Sequence, residues 1–291
     1  MIIDIVKFKV IGLIKSLKNH LIQLINGNST LDLVLADLLY RRLISNFIIG
    51  NFSIILPDGL RVLVNNRAIV NINIPDHYWR KEYMRHHDYV PRDGWVVFDV
   101  GAYVGIYSLW ASRLVGNGFV VAFEPNPIAF RWLISNIELN NATNIKALPY
   151  ALGDKIAKQK LYVAGENEEA SSLIMNHLIN NPSGRYPIVG EFVVPVVTLD
   201  YVIDKSTEIL GKPIRRIDLV KVDVEGYEMK VLKGAGKALY EGLIDKFVIE
   251  VHLDQVNTKD LLKYLADYGY AMDKVVRFGN VKDIVYVKHK R

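Results

Sequence analysis

From Gly94 onward, short apolar runs alternate with longer amphipathic stretches, and this alternation restricts the fold more than any other feature of the chain. Strands are expected over 95–100, 118–123, 144–148, 217–222 and 246–251. Helices are expected over 106–115, closed by Gly116, and from the cap-and-proline pair Asn126-Pro127 to residue 140. Two more should run from just past residue 222 to about 240 and over 258–268. Strands and helices alternating at this spacing connect by crossovers, which makes a mostly parallel sheet covered on both faces. Residues 158–197 are less regular, with short strands expected at 160–163 and 192–197 and a helix from Leu199-Asp200. Residues 275–276 and 283–287 suit a closing pair of strands. Ligands of such sheets bind beyond the carboxyl ends of the strands. The residues of interest therefore follow Phe98, Phe123, Val222 and Ile249.

Upstream, three regions are expected: a helical extension over 1–50, a β-hairpin and connecting helix over 51–93, and the main domain over 94–291. Residues 1–25 are rich in Ile, Val and Leu but interrupted by Asp4, Lys7, Lys9, Lys15 and Lys18. No run approaches the roughly 18 apolar residues of a membrane-spanning helix. No small-residue cleavage site follows, so a secretory signal is not expected. The pattern reads as an amphipathic helix, with a second over 30–47, both packing on the main domain. The alternative is a basic helix that makes a peripheral contact with a membrane surface. Residues 52–64 change period around Pro57-Asp58-Gly59, the mark of a hairpin. The polar, aromatic stretch 77–83 has helical composition.

Composition removes several classes. The chain has no cysteine, which excludes a disulfide framework, a Cys-ligated zinc, an iron–sulfur cluster and a thiol nucleophile. It fits a reducing, cytoplasmic setting. A net charge of +5 is too mild to argue for a nucleic-acid partner, and none is expected. No oligomeric state can be read.

The strand ends carry the chemistry. The first reads DVGAYVG over 99–105. Gly101 permits a sharp turn and Gly105 opens the next helix, whose free N–H groups suit an anion. A dinucleotide loop wants G-x-G-x-x-G; this loop has G-x-x-x-G with Asp99 two positions before it. An acid so placed repels a pyrophosphate and favours a positively charged amino or sulfonium group. Glu124, at the end of the second strand, can accept both hydroxyls of a ribose. Together Asp99, Gly101, Gly105 and Glu124 imply a nucleoside ligand, and the missing third glycine favours S-adenosylmethionine over NAD. Asp223 and Glu225 sit where the 217–222 strand meets its helix, with Glu228 read as a first-turn acid. Glu250 and His252 alternate with apolar residues and so share a face.

These segments, DVGAYVG (99–105), FEPNP (123–127), VTLD (197–200), IDLVKVDVEG (217–226) and IEVH (249–252), resemble the FkbM family of S-adenosylmethionine-dependent methyltransferases. The resemblance spans roughly residues 94–287. It implies the class I methyltransferase fold, a Rossmann-like α/β arrangement with a seven-stranded sheet whose last strand is antiparallel, and methylation of a hydroxyl oxygen. It places Asp99, Gly101 and Ala102 at the methionine end of the cofactor, Glu124 and Pro125 at the ribose, and Ala151 and Leu152, with Gly153-Asp154, near the adenine. Tyr103 departs from the family, which usually carries Asn there.

The sulfonium brings its own leaving group, so the protein must align the methyl and help an alcohol lose its proton. His252, Asp223 and Glu225 are the catalytic candidates. His252 is expected as base, on the ordinary histidine pKa, with the two acids orienting cofactor and acceptor. Asp223 and Glu250 are the alternative ligands of a divalent metal, but no third ligand is evident and no metal is expected. The acceptor class, a sugar or glycan, a lipid or another small molecule, is not legible. Two rival readings are an NAD-dependent oxidoreductase, which lacks its glycine loop here, and a non-catalytic, membrane-associated protein that keeps the fold. Intact acids at all four strand ends oppose the second.

Overall fold

The computed structural model describes residues 52–64, 68–164, 170–180 and 187–290; the helices expected over 1–47 lie outside them. Strands β1 (Phe52–Ile55) and β2 (Arg61–Val64) pair antiparallel across the expected Pro57-Asp58-Gly59 turn. Gly59 takes φ +82° there, a left-handed value that glycine adopts without strain. Residues 68–79 form one continuous helical stretch, largely wide-turned, and short 3-10 turns follow at Glu82–Met84 and His87–Tyr89. Leu60, Val62, Val64, Ile69 and Ile74 are buried against Ile106 and Leu109 of the main domain, so hairpin and domain share a core.

The main domain follows the expected alternation. Strand β3 (Val96–Val100) leads to α1 (Ile106–Val115), β4 (Phe119–Phe123) to α2 (Pro127–Leu139), and β5 (Ile145–Leu148) ends the first half. After an excursion come β9 (Leu219–Val222) and β10 (Lys246–His252), then β11 (Tyr270–Phe278) and β12 (Lys282–His289). The seven strands stand in the order β5-β4-β3-β9-β10-β12-β11. β3, β4, β5, β9 and β10 are parallel, and β12 runs antiparallel between β10 and β11. This is the class I methyltransferase arrangement. Phe98, Val121, Val220 and Ile249 are buried on one face, and Val97, Val120, Leu219 and Val248 on the other. Burial on both sides is why these strands read as unbroken apolar runs. The order reverses at β3, with β4 on one side and β9 on the other, so a crevice opens beyond their carboxyl ends.

The excursion is more regular than its sequence. Strands β6 (Ala151–Leu152), β7 (Ala157–Ala164) and β8 (Ile188–Val197) form a separate three-stranded sheet, with the short helix α3 (Met175–Asn180) between β7 and β8. Helices α4 (Leu199–Asp204) and α5 (Ser206–Leu210) follow. The single helix expected to reach residue 240 is broken into α6 (Glu228–Lys233) and α7 (Gly236–Tyr240). At the break Gly234 lies so close to the β6 loop that an added Cβ would stand 1.9 Å from the Gly153 carbonyl oxygen. α8 (Thr258–Ala266) is capped by Asn257, whose side chain accepts from Lys259 N–H. Among the described residues, no helix is long and apolar enough to cross a membrane.

Candidate active site

A cavity of about 600 Å³ lies beyond the ends of β3, β4, β9 and β10, a volume suited to a nucleoside-sized ligand. The loop after β3 forms its floor. Gly101 (φ +81°) brings this loop against the end of β9; a Cβ there would lie 1.8 Å from the Asp223 carbonyl oxygen. The Gly101 and Ala102 amides both donate to the Phe123 carbonyl, at 3.0 and 2.9 Å. Tyr103 holds φ +51°, where Asn is far more at ease than an aromatic residue. That explains the asparagine usual in the family and marks the position here as strained.

Glu124 is 7% exposed and lines the cavity. Its two carboxylate oxygens accept from Tyr103 N–H at 2.7 Å and Asn126 N–H at 2.8 Å. Burial pushes its carboxyl up to about 7, against the lowering effect of the two N–H groups and of Lys221. Each oxygen keeps acceptor capacity for a ligand hydroxyl. Pro125, Ala151 and Leu152 line the same end, joined by Tyr150. Asp154 does not; it faces outward and binds Lys230 at 2.6 Å.

Two glycine-loop residues lie off the cavity surface. Gly105 opens α1 and packs so tightly that an added Cβ would meet Leu133 at 2.5 Å. Asp99 is fully buried behind the wall, where it accepts from Ser108 Oγ at 2.5 Å and pairs with Lys221 at 3.1 Å. Burial raises its pKa, and Lys221 and Ser108 oppose that. Asp99 is therefore satisfied by Lys221 and Ser108 within the wall, and the expected direct contact with a positively charged ligand group is not open to it in this arrangement. This lysine also donates to the Gly101 carbonyl at 2.8 Å and stands 3.7 Å from Asp223. Burial disfavours its charge, but Asp99 and Asp223 outweigh that and hold its pKa above the ordinary lysine value.

At the opposite end the Tyr83 hydroxyl stands 2.8 Å from both Asp223 Oδ2 and Glu250 Oε2. One hydroxyl proton cannot serve two carboxylates, so the arrangement is comfortable only when one acid carries a proton. Burial pushes Glu250 up to about 7, with Lys282 opposing at 2.8 Å. Burial acts on Asp223 in the same sense, but Lys221, His252 and Lys282 outweigh it and hold Asp223 below the usual carboxylate range. The shared proton therefore belongs on Glu250. Lys282 also pairs with buried Glu82 at 2.7 Å, which ties the 82–84 turn to the sheet and brings Tyr83 over the strand ends.

His252 does sit beside the cavity, but not with an ordinary pKa. Its Nδ1 lies 2.7 Å from Glu228 Oε1, and its Nε2 lies 3.4 Å from Glu225 Oε2 and 3.6 Å from Glu250 Oε1. Burial alone would lower its pKa; the surrounding carboxylates raise it well above the ordinary value. These surroundings favour the protonated ring, against the neutral ring that the expected role of His252 as base requires. Glu228, read as a first-turn acid, is fully buried and holds both His252 and the Gly226 amide. Glu225 takes φ +52° and meets a histidine the sequence did not single out, His177 of α3, at 2.7 Å. Tyr83, Lys221, His177 and Lys282 went unpredicted because no spacing links them to the motifs. A lysine inside an apolar strand, at 221, was the one available signal.

The description "Methyltransferase FkbM domain" matches residues 99–272. Methyltransferase 1 of Beauveria bassiana is 29% identical over 166 residues, covering 55% of this chain and 66% of that protein. Methyltransferase sdnD of Sordaria araneosa is 31% identical over 169 residues, covering 53% and 65%. The chain thus spans just under two thirds of the length of these two relatives. The 31-O-demethyl-FK506 methyltransferase FkbM of Streptomyces tacrolimicus is 26% identical, over 75% of this chain and 88% of its own. With the family match running from the glycine loop into β11, the chain belongs to the FkbM methyltransferase family.

Proposed function

We propose that the protein is an S-adenosylmethionine-dependent methyltransferase acting on a hydroxyl oxygen of a sugar, lipid or small-molecule acceptor. The observation that carries this reading is the pairing of two ends in one cavity: the Glu124 carboxylate at one, the Tyr83–Asp223–Glu250 group at the other. The donor set fits the cofactor. Glu124 retains acceptor capacity for the two ribose hydroxyls, and Ala151 and Leu152 offer apolar surface to the base. Gly101, Ala102 and Asp223 border the remaining stretch, where an amino-acid end belongs. One relative's name specifies transfer to an oxygen, which supports the same choice of acceptor atom. Bound there, the cofactor supplies a methyl group on a sulfonium, already a good leaving group.

The chain's own residues must orient an alcohol and remove its proton. Glu250 is suited to the second task, because a base works best when its pKa lies near the working pH. Its Oε2 receives the proton beside Tyr83, while Lys282 and His252 favour the ionised form that must precede transfer. Asp223, ionised throughout, accepts from Tyr83 and orients cofactor and acceptor with Glu225.

The test is methyl transfer from isotopically labelled cofactor to a panel of hydroxyl acceptors, read by product mass. Turnover should rise as pH climbs through about 7, because Glu250 must be deprotonated. Glu250→Gln should lose about 10²-fold or more and flatten that limb. A Glu250→Gln variant with wild-type turnover and pH profile would remove Glu250 from this role.

A further inference from the structure

One wall of the cavity holds a group of side chains that the methyl-transfer reading leaves largely unused. His177 is fully buried. Its Nδ1 lies 2.9 Å from Asp254 Oδ2, and its Nε2 lies 2.7 Å from Glu225 Oε2. His252 repeats the arrangement, with Nδ1 at 2.7 Å from Glu228 Oε1 and Nε2 at 3.4 Å from the same Glu225 oxygen. Both rings turn Nδ1 to a carboxylate and Nε2 to one common point, with ring centroids 5.0 Å apart. Metal-ligating histidines are held in this way. A carboxylate on the remote nitrogen fixes the ring and its tautomer, and leaves the near nitrogen's lone pair for the ion.

We infer that His177, His252 and Glu225 form a binding site for a divalent transition-metal ion, of the zinc or cobalt(II) kind, through the two Nε2 atoms and the Glu225 carboxylate. Two imidazoles and one carboxylate suit such ions better than the harder magnesium or calcium. One donor atom from each residue lies within 4.8 Å of the others, so small movements would bring all three to a shared ion. Charge points the same way. Glu225, Glu228 and Asp254 bring three carboxylates around two imidazoles. A bound dication would offset them.

The neighbouring group Asp223, Glu250 and His252 also brings three donors together. There, however, Lys282 already stands 2.8 Å from Glu250 and Lys221 3.7 Å from Asp223. Those ammonium groups supply the positive charge and repel a dication. Among the described residues, no lysine stands so close to the inferred site's own carboxylate, Glu225, which meets the two histidines instead. Glu225 and His252 both line the cavity, so a bound ion would face the acceptor end and could polarise its hydroxyl. That role rests on the proposed function; metal binding itself does not.

The experiment is a cobalt(II) titration of the chelator-stripped full-length protein followed by visible absorption. It is paired with zinc calorimetry. We expect saturable binding of a single ion, and affinity about 10–100-fold lower in Asp254→Asn. His177→Gln should lose more, with circular dichroism confirming its fold; Asp254→Asn, a milder change, keeps the test open if His177→Gln does not fold. No saturable binding of either ion by the wild type, or undiminished affinity in Asp254→Asn, overturns the site. So does binding lost in Asp223→Asn but kept in His177→Gln. S-adenosylhomocysteine binding, measured on the same samples, separates the two claims. Metal bound without it would sink the methyltransferase reading and leave this site standing.

Discussion

Glu124 shows how one side chain links stability to binding. Its carboxyl is pushed from 4.5 to about 7, so between those values the folded protein holds a proton that the unfolded chain has released. Stability from this group is therefore present at low pH and lost as pH rises through that window, by on the order of 3 kcal/mol. Urea unfolding of Glu124→Gln across the same window should show a flatter dependence than wild type. Ligand binding should run the other way: the carboxylate accepts ribose hydroxyls best when ionised, so affinity for S-adenosylhomocysteine should rise as pH climbs through about 7. A wild-type slope in Glu124→Gln would locate both effects elsewhere. Gly101 is the other decisive residue. Gly101→Ala combines a φ of +81° with a contact of 1.8 Å to the Asp223 carbonyl, and should destabilise by more than about 2 kcal/mol. A thermal melt at the wild-type temperature would mean the loop has room to move. Both residues were legible in the sequence, since a glycine and an acid after apolar strands have few other uses. The fate of Asp99 was not legible. Only the fold shows that Lys221, far along the chain, stands opposite it on the neighbouring strand β9 and pairs with it.

At the scale of elements, side-chain amides and caps join pieces that the sequence shows only singly. Asn136 of α2 is fully buried; its Oδ1 accepts from Leu63 N–H and its Nδ2 donates to the Val104 carbonyl, both at 2.8 Å. One helix turn on, Asn140 accepts from Arg61 N–H at 2.8 Å. Together they satisfy the edge of β2, which is how the hairpin docks. Asn136→Ala strands the buried Val104 carbonyl, at about 1–3 kcal/mol, and the half-buried Leu63 N–H at less. It should lower the unfolding midpoint and speed amide exchange in residues 61–64; unchanged exchange there would show that apolar packing alone holds the hairpin. Asp200, part of the VTLD motif, likewise has a structural duty: its carboxylate accepts from Lys237 and Ala238 N–H, both at 2.9 Å, at the start of α7. Boundaries of α1, α2 and β3–β5 were readable because apolar period, caps and closing glycines agree. The β6–β8 sheet was readable only in part: the strands expected at 160–163 and 192–197 fall within β7 and β8, but the alternation of exposed and buried positions hid their full length and their pairing. The break at Gly234 depends on the distant Gly153 carbonyl, which no local pattern encodes.

For the whole molecule, the parallel sheet does what its topology dictates: it opens a crevice where the strand order reverses and gathers residues from both halves of the chain. The Glu124 end of that cavity was legible from spacing after β3 and β4. The Tyr83–Asp223–Glu250 end was legible only as acids and a histidine, and its electrostatics depend on neighbours that only the fold brings in. His252 is surrounded by carboxylates and Glu250 by lysine, tyrosine and aspartate, so the pKa near neutrality belongs to the glutamate. The central claim is that this cavity binds S-adenosylmethionine through Glu124, and titration calorimetry with S-adenosylhomocysteine tests it most directly. The account predicts saturable binding, no binding of NAD, and affinity at least about tenfold weaker in a folded Glu124→Ala variant, because hydrogen bonds to a charged group are worth about 1.5–3 kcal/mol each. No binding to the folded wild type, binding of NAD in its place, or equal affinity in Glu124→Ala would contradict it.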